Sequence, residues 1–127
     1  MSSQASTAVK NTFCWIDIPV TDIKRAISFY SAVLGEKVEH MTEHFEFGLL
    51  PHTENNVSGC LTVMKDRKPS SDGPLVYLNV EGRLDQAIEE ATKNGGKVLK
   101  GKEQIGPYGF RAVVLDTEGN AIALHSH

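Results

Sequence analysis

Two short runs of alternating apolar and polar residues begin the two halves of the chain. Thr12 to Val20 reads TFCWIDIPV, and Leu75 to Val80 reads LVYLNV. Period-two alternation of this kind predicts a half-buried β-strand. In the first run Cys14, Ile16 and Ile18 share one face, and Trp15 and Asp17 share the other. In the second, Val76, Leu78 and Val80 oppose Leu75, Tyr77 and Asn79. After each run the period changes to that of a helix. Ile23, Ala26, Ile27, Tyr30, Val33 and Leu34 form one stripe, and Leu84, Ala87, Ile88 and Ala91 form another. Spacings of three and four place each set on one helical face. Thr21 is the expected N-cap of the first helix, with Asp22 in its first turn. Gly35 and the pair Gly95-Gly96 are expected to end the two helices.

The end of each half strengthens the repeat. Leu50 to Leu61 reads LPHTENNVSGCL, and Val114 to Leu124 reads VLDTEGNAIAL. Both set a turn-rich pentapeptide between apolar runs, as hairpins do. The order in each half is strand, helix and three strands. Three matches in the same order favour duplication over chance, and internal repeats fix an architecture more firmly than any single element. The expected fold is α+β, with two tandem βαβββ modules whose curved mixed sheets enclose a cleft. Module one spans about residues 11–68 and module two about 73–127. The polar stretch MSSQASTAVK reads as a disordered tail over residues 1–10.

Composition removes several classes of function. A chain of 127 residues suits one domain. Its 40% hydrophobic and 23% charged residues are ordinary globular usage. A net charge of −3 argues against a nucleic-acid partner, which requires clustered Lys and Arg. No run approaches the roughly 20 apolar residues of a membrane helix, and no signal-peptide core is present, so a cytoplasmic protein without a membrane partner is expected. Cys14 and Cys60 form no metal-type pair and read as free core thiols in a reducing compartment.

WIDIPVTDIKRAISFYSAVLG and YGFRAVVLDTEGNAIALHS resemble the two signatures of the vicinal oxygen chelate superfamily. That group includes glyoxalase I, extradiol dioxygenases, fosfomycin-resistance enzymes and bleomycin-binding proteins. The resemblance runs from about Thr12 to Ser126 and is nearest to glyoxalase-related proteins that begin Trp-x-Asp/Glu-Ile-Pro-Val. It implies two βαβββ modules around a cleft, often paired across a dimer. It also implies a divalent metal held by His, Glu or Gln at four repeat-related places, which fall here on Trp15, Gly59, Leu75 and Ala123. None of these side chains ligates a metal. No metal and no cofactor are therefore expected.

Other candidate chemistry is sparse. His40-Met41-Thr42-Glu43-His44 matches a zinc pattern that works only on a helix. In a strand its two histidines would lie about 13 Å apart. Ser28 and Ser31 lie within a helix, away from any strand-to-helix elbow, so no nucleophile triad is defined. The cleft-facing candidates are Trp15, Asp17, Leu75, Tyr77 and Asn79, with Gly59 and Ala123 leaving room. Tyr108 in the Gly-Pro-Tyr-Gly turn is placed to close over a ligand, or is only a turn residue. Asp17 either pairs with Arg111 for stability or contacts the ligand. His125 shares the parity of Ala123 and reads either as a weak candidate acid or base, like Asp17, or as a residue in water.

These residues suit a small-molecule-binding protein of the glyoxalase/bleomycin-resistance type that lacks the family metal site. One alternative is a glyoxalase-like lyase, isomerase or dioxygenase using unusual ligands or metal-free acid–base chemistry. Another is a structural module whose cleft binds nothing. A homodimer is the expected assembly, because each half presents a curved sheet without a complete partner.

Overall fold

The computed structural model describes residues 10–127. The expected tail, apart from Lys10, lies outside the described residues. In module one, β1 (Trp15–Pro19) leads to α1 (Ile23–Leu34), β2 (Glu39–Met41), β3 (Phe47–Leu49) and β4 (Ser58–Thr62). In module two, β5 (Val76–Asn79) leads to α2 (Leu84–Lys93), β6 (Lys97–Gln104), β7 (Phe110–Leu115) and β8 (Ala121–Ser126). A 3-10 turn, Gly106–Tyr108, precedes β7. The sheets have the equivalent orders β1-β4-β3-β2 and β5-β8-β7-β6, each with one parallel pair made by its first and last strands. The α+β arrangement of two βαβββ modules is therefore as the pattern predicts, but the sheets are not closed on each other. No strand of one sheet pairs with a strand of the other among the described residues.

The core explains the apolar stripes. Ile18, Val20 and Leu61 from the first sheet join Val80, Val114, Ile122 and Leu124 from the second, with both helices among them. Each helix packs on its own sheet and on the other helix. This second contact buries Phe29, which the single-stripe reading leaves out. Gly96 allows the approach, since a Cβ there would stand 2.6 Å from the Phe29 ring.

The N-cap of α1 is Asp22 and not Thr21. The Asp22 carboxylate accepts the Arg25 N–H at 3.1 Å, while the Thr21 hydroxyl is engaged elsewhere. Gly35 closes the helix in the left-handed conformation at φ 70°, with its N–H bonded to the Ser31 carbonyl. The cap of α2 is Asn94, followed by Gly95 at φ 96°. Cys14 lies before β1 and is exposed, Cys60 is buried, and both are free thiols.

The two sequence signatures dock on one another. In the β7–β8 turn, one Asp116 carboxylate oxygen accepts the backbone N–H groups of Glu118, Gly119 and Asn120, each at 2.8 Å. Its other oxygen accepts the buried Tyr30 hydroxyl at 2.5 Å. Burial, together with the Asp116 carboxylate, pushes the Tyr30 hydroxyl well above its ordinary range. Asn120 donates to the Pro19 carbonyl at 2.8 Å. Glu118 reaches the N-terminus of α1, where it accepts from the Thr21 and Asp22 amides, the Thr21 hydroxyl and Arg25. The Asp-Thr-Glu-Gly-Asn hairpin thus fixes module two on the helix of module one, and its polar residues serve architecture.

Candidate functional site

The faces of the two sheets that point away from the helices are largely bare. Their side-chain parity follows from strand register, because directly paired residues share a face. Trp15 pairs with Ser58 and Asp17 with Cys60, so these residues stand on one face. Gly59 pairs with Ile16 and belongs to the helix side. This corrects the expectation that Gly59 faces the cleft: Cys60 takes that place. A Cβ on Gly59 would come within 2.3 Å of the Ile16 carbonyl oxygen and 2.4 Å of the Ile16 side chain. Glycine is therefore required by the close approach of β1 to β4, and it leaves no room for a ligand there.

On the first face, the Asp17 carboxylate organises two neighbours. The Trp15 indole N–H donates to Asp17 Oδ1 at 3.0 Å, and the Cys60 thiol donates to the same oxygen at 3.3 Å. Burial, reinforced by the Asp17 carboxylate, pushes the Cys60 thiol up to about 11. The sulfur is thus a neutral S–H near pH 7, unlike the thiolate needed for attack or for metal binding. Asp17 makes no contact with Arg111; its partners are Trp15 and Cys60. The Trp15 ring is 44% exposed, so it is available to stack on a planar group.

The second face carries a separate group. Tyr77 pairs with Ala123, Asn79 with His125, and Arg111 with His125 across β7, so all five share one side. The Arg111 guanidinium donates to the Tyr77 hydroxyl and also to Glu103 at 3.3 Å. The Tyr77 and His125 rings stand 6.4 Å apart. His125 Nε2 meets the Tyr108 carbonyl at 2.6 Å, so the turn contributes its backbone while the Tyr108 ring points to solvent. Asn79 directs its side-chain oxygen to the Glu81 amide in a local turn. Leu75 is exposed immediately before β5.

Within one chain, no hydrogen bond or ring–ring contact among the described residues joins the Trp15 group to the Tyr77 group. Seven of the ten cleft candidates fall on two separate faces, Trp15 and Asp17 on one and Tyr77, Asn79, Arg111, Ala123 and His125 on the other, while Leu75 precedes β5, Tyr108 lies in the turn and Gly59 is on the helix side. A cavity of about 410 Å³, with Asp17 in its lining, lies beside β1 and β5, next to the segment that links the modules. Ile16, Ile18, Val76 and Ile122 make its apolar wall, and Arg67 and Lys68 stand at its rim. The sequence offers no signal for it, because the linker has no periodic pattern.

The four repeat-related places are now Trp15, Cys60, Leu75 and Ala123. Among them only Cys60 carries a donor atom, and that atom holds its proton. The donor set does not fit the divalent metal that the fold implies. A cluster of another origin lies at the end of β8, where Glu81, His125 and His127 each bring a ligand-type atom within 4.8 Å of the others. Sequence reasoning does not single out Glu81, because only the fold brings it to His127, 46 positions away.

Comparison with known proteins agrees with this architecture. Residues 12–124 match the profile of the glyoxalase/bleomycin resistance protein/dioxygenase superfamily. A glyoxylase-like domain-containing protein from Didymella fabae is 34% identical over 119 residues, covering 86% of this chain and 88% of that protein. A glyoxalase/bleomycin resistance protein from Albidiferax ferrireducens T118 superposes with a TM-score of 0.76 at 15% identity, covering 92% of this chain and 99% of that one. A glyoxalase-related enzyme from Fulvimarina pelagi gives a TM-score of 0.70 at 14% identity, covering 93% and 89% of the two chains. The structural likenesses show a shared fold, and with the profile match and the 34% identical relative they establish that this chain belongs to the glyoxalase/bleomycin resistance protein/dioxygenase superfamily.

Proposed function

We propose that this protein binds a planar small molecule without the family metal, on sheet faces that a second copy completes into a cleft. The observation that carries this reading is the pair of bare faces, each with an exposed aromatic ring held by a charged partner. Trp15 is 44% exposed beside Asp17, and Tyr77 is 46% exposed beside Arg111. Rings anchored in this way offer contact area at little entropic cost, and the Arg111 charge favours an anionic group on the ligand. The neutral Cys60 thiol and the apolar residues at Leu75 and Ala123 weigh against a glyoxalase-like lyase or dioxygenase, which would need a filled ligand set.

A homodimer accounts for the exposure. Trp15, Val57, Val63, Leu75 and Tyr77 are each at least 39% exposed, an apolar burden that a two-fold pairing of the faces would cover. The prediction is a mass of two chains by light scattering at micromolar concentration. A monomer mass across that range would contradict the shared cleft.

The binding face is tested at Trp15 with anilinonaphthalene sulfonate, a planar anionic fluorophore. The native protein is expected to bind it with energy transfer from the single tryptophan. Trp15→Ala is expected to weaken binding about 3- to 10-fold, the range that stacking supplies. Its stability should change by less than about 1 kcal/mol, because the ring is nearly half in solvent. A large loss of melting temperature with unchanged probe affinity would remove Trp15 from the site.

A further inference from the structure

We infer that Glu81, His125 and His127 form a divalent transition-metal site at the end of β8, distinct from the four repeat-related places. His125 lies on β8 and His127 follows two positions later, just past its end. The His125 and His127 rings stand edge to face with centroids 5.1 Å apart. Glu81 approaches from the loop between β5 and α2. Its two oxygens accept the His127 backbone N–H, each at 3.1 Å, and the nearer one meets His127 Nδ1 at 2.9 Å. The Ser126 hydroxyl donates to the same carboxylate at 3.3 Å. The carboxylate is thus placed by the last residue of β8 and by the residue that follows it.

Two neutral imidazoles and one carboxylate are borderline donors suited to Zn²⁺, Co²⁺ or Ni²⁺, with the remaining positions left to water or a ligand. Donor atoms on a single ion stand about 3.3 Å apart, given bonds near 2 Å. The 4.8 Å spread therefore closes by small rotations, which are open to side chains as exposed as Glu81 and His127, at 51% and 73%. The tautomer of His125 is already set. With Nε2–H given to the Tyr108 carbonyl at 2.6 Å, Nδ1 carries the lone pair that a metal requires. His40, which pairs with Glu46 at 2.8 Å, belongs to no such cluster of three among the described residues and supplies a control.

The experiment is titration of the untagged full chain with ZnCl₂ by calorimetry, and with CoCl₂ by visible absorption. One ion per chain is expected, with micromolar affinity and a Co²⁺ spectrum of low coordination number. His125→Ala, His127→Ala and Glu81→Gln should each weaken Zn²⁺ at least 10-fold, while His40→Ala stays within 2-fold of the parent. Wild type that takes up no Zn²⁺ below millimolar concentration would overturn the site. So would binding that survives both His127→Ala and Glu81→Gln. These readouts do not involve Trp15, so failure here leaves the planar-ligand reading to its own test.

Discussion

Gly59→Ala is expected to cost about 3 kcal/mol of folding stability, which lowers the melting temperature by roughly 10 °C. The reason is the meeting of β1 and β4. The added methyl would lie 2.3 Å from the Ile16 carbonyl oxygen and 2.4 Å from the Ile16 side chain. Backbone cannot rotate away as a flexible side chain can, so the parallel pair must separate or lose register. Both routes disturb buried Leu61 and the placing of Cys60 beneath Asp17. Gly73→Ala is the control. A Cβ there meets nothing within 4 Å, so its effect should stay within about 0.5 kcal/mol. Thermal melts of the two variants beside the parent decide the matter. A Gly59→Ala variant as stable as Gly73→Ala would mean that Gly59 does not face Ile16.

The correction at Gly59 shows where sequence reasoning stops. Alternation along a strand places side chains on two sides, but it assigns those sides only after the strand has been aligned to its counterpart. The hairpin segments differ in length by one residue across the repeat, and that single residue exchanges Gly59 for Cys60. The helices are legible in the sequence because their apolar spacing determines a face by itself. Even so, the stripe of α1 omits Phe29, since that ring packs beside Gly96 of the other module, and no local pattern reports a second partner. Thr21 and Asp22 are both good caps on paper. The choice between them falls to Glu118, 97 positions from Thr21, which occupies the Thr21 hydroxyl. The order of elements along the chain, the two helices and the two hairpins are local or repeated features, and the sequence carries them. The division of the candidate site into two faces follows from tertiary packing of helix on helix, which leaves no mark in periodicity.

Glu118→Gln is expected to destabilise the fold by about 2 kcal/mol at pH 7, and the loss should disappear in acid. The Glu118 side chain is fully buried at the N-terminus of α1, where burial alone would raise its pKa. Hydrogen bonds from Arg25, from the Thr117 hydroxyl and from the Thr21 and Asp22 amides overcome that effect and bring the carboxyl down from 4.5 to about 2. Such a displacement corresponds to roughly 3 kcal/mol of preference for the charged form. Arg25 is half exposed, so solvent screening reduces the figure to about 2 kcal/mol. A carboxyl whose folded value is depressed stabilises the fold above its unfolded value. That contribution is complete above about pH 4.5 and is lost as the pH falls toward 2. Glutamine keeps one oxygen to accept the amide hydrogens, and it loses the charge together with the acceptor that faces Arg25 Nε and the Thr117 hydroxyl. Chemical denaturation of parent and variant between pH 7 and pH 2.5 should therefore give two stability curves that converge in acid. A gap that stays constant over this range would place the stabilisation in packing, and the charged carboxylate would then not be what fixes the second module to the first.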